Sequence, residues 1–152
     1  MNTKTEILNI TCGDIANDYY LKKYNNEIFV PFNEAMCEGN PEDDIFSEKF
    51  ILERIKTHKI TKYEYLCKLG PFLNYAEKIG QYEIICWFGK DEFCQKNLLT
   101  LLAYLEQLNY PRDITFHLID EQTFNIIRTN KISVKGYKEK YLKEIRNVRE
   151  DL

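Results

Sequence analysis

The apolar positions of this chain recur with two different periods, and the switches between them mark out its elements. Residues 5–12 (TEILNITC) and 27–32 (EIFVPF) are short apolar runs rich in β-branched and aromatic side chains, which predicts two strands. Residues 82–88 (YEIICWF) are almost wholly apolar, the pattern of a strand covered on both faces. Residues 113–120 (DITFHLID) predict a fourth strand. Between the strands the spacing becomes helical. A helix is expected from Ile15 to about Tyr24. Phe46, Phe50, Ile51 and Ile55 share one face of another, with Ser47 placed to cap its start. Thr61 to Leu69 continues as helix, Gly70-Pro71 breaks it, and Pro71 suits the first turn of a further helix to about Ile79. Leu98, Leu101, Leu102, Leu105 and Leu108 line one side of a helix over 92–108. The segment 33–44 (NEAMCEGNPEDD) is turn-rich and acidic, hence a loop.

The order is therefore βαβ, a helical insertion between strands 2 and 3, then βαβ. Alternation of this kind predicts an α/β fold: three layers, with helices on both faces of a mostly parallel sheet of four to five strands. Right-handed crossovers favour strand order 2-1-3-4, a flavodoxin- or Rossmann-like arrangement. Residues 1–120 make up this unit, and residues 121–152 extend the same domain. Within the extension, KISV (131–134) is a candidate edge strand. GYKEKYLKEIRNVREDL comes next as a basic amphipathic helix striped by Tyr137, Tyr141, Leu142, Ile145 and Val148. That stripe packs on the domain itself, or meets a protein partner or a second copy.

Composition narrows the partners. The chain has 152 residues, 44% of them hydrophobic, and a formal net charge of −3, enough apolar material for one core and no sign of disorder. The charge argues against nucleic-acid or membrane binding through bulk positive potential. In the basic tail, Glu139, Glu144, Glu150 and Asp151 dilute the positive charge further. No stretch approaches the roughly 18 apolar residues that span a bilayer. The N-terminal apolar run is broken by Asn9 and Thr11 and lacks a secretory pattern. Five cysteines, none in a C-x-x-C pair, fit free thiols in a reducing compartment, so a cytoplasmic setting is expected. His58 and His117 have no ligand-like spacing, which argues against a structural zinc site. Neither G-x-G-x-x-G nor a Walker A loop is present, so no dinucleotide or P-loop cradle is expected. No cofactor is predicted; a divalent metal stays open.

In open parallel sheets ligands bind beyond the carboxyl ends of the strands, where the strand order reverses. Here that point lies between strands 1 and 3, flanked by Gly13-Asp14 and Gly89-Lys90-Asp91. Asp14 and Asp91 precede helices, where each either caps backbone N–H groups or serves as a base or magnesium ligand. Lys90 adds charge to an anion site or is solvated. Gln95 faces the crevice or the helix surface. Glu34 and Glu38 would lie on one side of a helical turn as a carboxylate pair, or belong to a solvated acidic loop. Arg54 grips an anion, or pairs with Glu53, Glu34 or another buried acid. Cys12, Cys37 and Cys94 approach the same edge, although thiol catalysis needs a positive neighbour, and His117 sits inside strand 4.

At these residues the sequence resembles a known family, the uncharacterised, mainly bacterial family catalogued as domain of unknown function 1835. The resemblance runs from about Ile7 to Asp120. It rests on Gly13-Asp14 after the first strand, on E-x-x-x-E-G (Glu34, Glu38, Gly39) after the second, and on Glu53-Arg54 in the next helix. Its clearest part is WFGKDEFCQKNLL, with Trp87, Asp91, Gln95 and Leu98 in the family's pattern. Departures are Asn33 where the family has arginine, Glu34 for aspartate, and Asn40 for proline. The resemblance implies a compact α/β domain and groups Asp14, Glu34, Glu38, Arg54, Asp91 and Gln95, but supplies no reaction. Family members often continue into a further helical region, which implies a short member or a fragment here.

Two functions are consistent with this reading. The favoured one is a non-catalytic sensor or protein-interaction domain whose C-terminal helix meets a partner or a second subunit. The alternative is an enzyme, or former enzyme, acting on a nucleotide or other phosphorylated small molecule at the carboxyl ends of strands 1 and 3.

Overall fold

In the computed structural model, which describes residues 5–150, five strands form one sheet in the order β2-β1-β3-β4-β5. Strands β1 (Glu6–Thr11), β2 (Ile28–Pro31), β3 (Tyr82–Phe88) and β4 (Ile114–Ile119) are parallel, and β5 (Ile126–Ile132) runs antiparallel to β4. Helix α1 (Asp14–Lys23) links β1 to β2. Helices α2 (Glu48–His58) and α3 (Lys62–Leu73), with a 3-10 segment Ala76–Gln81, fill the insertion before β3. Helix α4 (Glu92–Gln107) crosses to β4, and α5 (Tyr137–Glu150) comes after β5. This is the expected α/β architecture with the expected strand order.

The two faces of the sheet are unequal. Leu8, Ile10, Ile84, Cys86, Phe88, Ile114 and Phe116 point to one side, where buried residues of α2, α3, α4 and α5 complete the larger core. Among the described residues, α1 is the helix on the opposite side, over a smaller cluster of Ala16, Tyr20, Phe29, Trp87 and Ile119. Period-two alternation along β1 and β3 sends neighbouring residues to opposite cores, which is why YEIICWF is apolar nearly throughout.

Two boundaries differ from the sequence reading. Helix α3 runs through Gly70-Pro71 to Leu73. Pro71 lies in its last turn, where its missing N–H leaves unpaired only the carbonyl one turn back, on exposed Cys67. Beyond Leu73 the chain forms the 3-10 segment rather than a full helix. The edge strand also starts earlier than KISV, at Ile126. It is held by its ladder to β4 and by polar pairs on the open face: His117 Nδ1 with Thr129 Oγ1 at 2.7 Å, and Lys131 Nζ donating to Thr115 Oγ1 at 2.8 Å. An edge strand exposed along its length has no hydrophobic period to read.

Helix α5 is spent largely on its own domain. Tyr141 and Ile145 are buried in the larger core, and Glu106 of α4 accepts from the N–H groups of Gly136 and Lys138 at the start of α5. The side chains of Val148, Glu150 and Asp151 lie outside the described residues. Among the described residues, no helix is long and apolar enough to cross a membrane.

Candidate functional site

At the carboxyl edge of the sheet a cleft lies on each side of the β1–α1 loop. The first, of about 230 Å³, is bordered by Asp14, Asn33, Glu34, His58, Tyr65 and Lys68. Its floor is built around Glu34. After β2 the chain turns inward, and Asn97 of α4 holds the turn by accepting from Met36 N (2.9 Å) and donating to the Glu34 carbonyl (2.6 Å). The Glu34 carboxylate then meets three side chains from α2 and α3. Arg54 donates through Nε to Oε2 at 3.0 Å and through Nη2 to Oε1 at 2.8 Å. Tyr65 donates its hydroxyl to Oε2 at 2.6 Å, and His58 Nε2 lies 2.6 Å from Oε1. The Ala35 N–H adds a further donor at 2.8 Å.

Burial alone would push the Glu34 carboxyl up. The hydrogen bonds from His58, Arg54 and Tyr65, with the Arg54 charge, outweigh it and lower its pKa to about 2. Burial and the neighbouring Glu34 charge push the Tyr65 phenol up. Glu34 is therefore an ionised keystone, and Arg54 is committed to it.

Glu38 does not join Glu34 as a carboxylate pair. Its side chain is exposed, and only its backbone carbonyl takes part, accepting from Arg54 Nη1 at 2.7 Å. The turn carries Glu38 outward instead of continuing as the helical turn that would align the two. Asp14 departs from the capping reading: Gly13 occupies the cap position, and Asp14 Oδ1 accepts from Asn33 Nδ2 at 2.9 Å across the cleft mouth.

The second cleft, of about 190 Å³, lies at the strand-order reversal between β1 and β3, with Cys12, Ile15, Gly89, Asp91, Cys94 and Glu121 on its walls. Asp91 does cap α4, its Oδ1 accepting from Cys94 N at 2.8 Å. Gln95 turns back and donates to the Gly89 carbonyl at 2.8 Å, so it braces the loop and does not present its amide to the cleft. Lys90 is exposed and borders a separate depression with Asp120 and Gln122.

Glu121 arrives from the β4–β5 turn, which Asp120 fixes by accepting from Gln122 N and Thr123 N at 2.8 and 2.9 Å. Its Oε1 accepts from Asp91 N at 3.2 Å, and carboxylate oxygens of the two residues lie within 4.8 Å of each other. Partial burial opposes ionisation of Asp91, but the Cys94 N–H and the contact with Glu121 hold its pKa below the usual range. Burial and the adjoining Asp91 raise Glu121. Cys94 is raised by the neighbouring Cys12 thiol and by burial.

The seven sequence candidates thus divide. Glu34 and Arg54 join under the first cleft with Asp14 at its mouth, Asp91 and its brace Gln95 stand at the second, and Lys90 and the Glu38 side chain lie outside both. Sequence reasoning missed His58 and Tyr65 as partners of Glu34, and missed Glu121. The spacing of Arg54 and His58, four apart on one helix face, was the available sign for the first. The place of Glu121 just beyond a strand's carboxyl end was the sign for the second.

Comparison of the chain with models of protein families, with curated proteins and with solved structures yields no match.

Proposed function

We propose that this chain is a non-catalytic sensor or protein-interaction domain working in the cytoplasm, and a divergent relative of the family its sequence resembles. The observation that carries this reading is the Glu34 lock. The acid and the arginine best suited to act on a substrate are both withdrawn into the interior and hold loop 33–39 against α2 and α3. What stays accessible at the carboxyl edge includes a small cleft at the strand-order reversal, suited to binding. Five free cysteines accord with a reducing compartment. The C-terminal extension offers the contact surface: β5 is the outer strand, with Ile126 and Ile127 exposed.

One observation favours the alternative of an enzyme acting on a nucleotide or other phosphorylated small molecule. The His58 ring borders the first cleft with Glu34 behind it and Lys68 nearby. A thermal-shift screen with nucleotides, sugar phosphates and divalent metals, paired with product analysis, separates the two. The sensor reading expects a stabilising ligand without turnover. Product formation that His58→Ala abolishes would replace it with the enzyme reading.

A further inference from the structure

We propose that the cleft at the strand-order reversal binds a thiophilic divalent cation of the zinc type, held by Asp91, Cys94 and Glu121. This rests on the sensor reading above and names its ligand.

The ligating atoms of Asp91, Cys94 and Glu121 lie within 4.8 Å of one another, a spread that a modest closure brings around one ion. They come from separate parts of the chain: Asp91 and Cys94 at the start of α4, Glu121 after β4. Capping accounts for one oxygen of Asp91, but not for the arrival of Glu121. That carboxylate packs over Gly89, where any Cβ would overlap it, so the glycine leaves room for it. Gln95 fixes Gly89 from behind, and Asp120 fixes the turn that delivers Glu121. Each carboxylate is oriented by a backbone N–H, the kind of outer-shell support that metal ligands receive.

Two carboxyl groups in contact are adverse unless a proton or a cation lies between them. The amino end of α4 opposes a cation, and the combined negative charge of Asp91 and Glu121 offsets this. The donor set selects the ion. Calcium and magnesium take six or more oxygens, whereas one sulfur with two carboxylates, the fourth position left to solvent, suits four-coordinate zinc. On binding, the Cys94 thiol passes its proton to solvent and ligates as thiolate.

The test is zinc titration of the full chain by calorimetry, under a non-thiol reductant, with cobalt(II) as a spectroscopic substitute. One zinc per chain is expected, with a sulfur-to-cobalt charge-transfer band in the near ultraviolet. Cys94→Ser should remove the band. Glu121→Gln and Gly89→Ala should each weaken zinc about tenfold or more. Those two substitutions lie at the cleft rim, so they remain informative if the buried Cys94→Ser variant folds poorly. Asp14→Asn, in the other cleft, should leave zinc affinity unchanged. Equal affinity in all variants, or cobalt binding without the band, overturns the site. Zinc binding with the expected losses but no change in self-association keeps the site and removes the sensor reading. No zinc binding alongside a thermal shift with a phosphorylated ligand removes the site and keeps the sensor reading.

Discussion

Arg54 and Glu34 form a two-point ion pair in which neither side chain is exposed to solvent. Such a pair repays its desolvation only when every remaining donor and acceptor is satisfied. Here each side-chain nitrogen and oxygen of the pair has a partner: Arg54 also donates to the carbonyls of Ala35 and Glu38, and Glu34 also meets Tyr65, His58 and the Ala35 N–H. The network joins the loop after β2 to both helices of the insertion. It shapes the first cleft by fixing its floor.

Arg54→Met should therefore be among the most damaging single changes. It leaves Glu34 ionised in the interior, at a cost of about 3–5 kcal/mol. Urea unfolding measures this directly. Replacing both partners, with Glu34→Leu and Arg54→Met together, should recover much of the loss. A single variant with an unchanged midpoint would show that Glu34 is reached by water.

The same carboxylate sets the pH dependence. Its pKa falls from 4.5 to about 2 on folding, so above 4.5 it is ionised in both states and contributes its full stabilisation, about 3 kcal/mol. As pH falls from about 4.5 toward about 2, the unfolded chain takes up a proton that the folded one refuses, and that stability is lost. Glu34→Gln should flatten the acid limb by about 1.4 kcal/mol per pH unit within this window. Unfolding free energies measured across it for both proteins provide the check, and parallel curves would contradict the assignment.

The elements that the sequence displayed best are those whose burial is uniform. Strand β3 is apolar because cores lie on both its faces, and its bounds were read directly. The strand order came from chain connectivity, and it placed Asp91 and Cys12 at the same cleft. The hidden features depended on contacts distant in sequence. Glu34 and His58 are 24 residues apart, Asp91 and Glu121 are 30 apart, and no local period links them. β5 was legible only in part because its ladder to β4, rather than any buried face, makes it a strand. Gly70-Pro71 misled because a helix tolerates proline where the carbonyl it orphans can meet water.

Trp87, the single tryptophan, donates its indole N–H to Asn9 Oδ1 at 2.8 Å in the smaller core. Asn9 also donates to the Ile28 carbonyl at 3.0 Å, so it ties three strands together. Asn9→Ala should strand the indole donor and cost about 1–3 kcal/mol. Tryptophan emission reports the change in polarity around Trp87, and chemical denaturation reports the cost. An unaltered emission maximum and midpoint would mean that another acceptor takes over.

Lys59 ends α2 with φ 55° and ψ 44°, a left-handed conformation costly to a residue with a Cβ. The side chain is exposed, so its removal loses little packing. Lys59→Gly should raise stability by about 1 kcal/mol, read as a higher melting temperature. A lower one would show that Lys59 makes contacts that outweigh the backbone relief.

The interaction reading needs a test that leaves the domain intact, and removing the last helix does not provide one. Tyr141 and Ile145 are buried, and Tyr141 also donates its hydroxyl to the Glu42 carbonyl at 2.6 Å. Deleting 136–152 uncovers the face of α4 beneath them, so loss of association in that variant would reflect loss of structure. Ile145→Ala alone should cost about 2–5 kcal/mol. The outer strand is a cleaner probe, because Ile126 and Ile127 are exposed and their replacement creates no cavity. Ile127→Lys should leave the urea midpoint within about 0.5 kcal/mol of the parent. If β5 carries the contact, it should also abolish any self-association seen by sedimentation. If Ile127→Lys keeps the parent's oligomeric state while Ile145→Ala remains as stable as the parent, α5 is not integral to the core and the contact belongs to the helix.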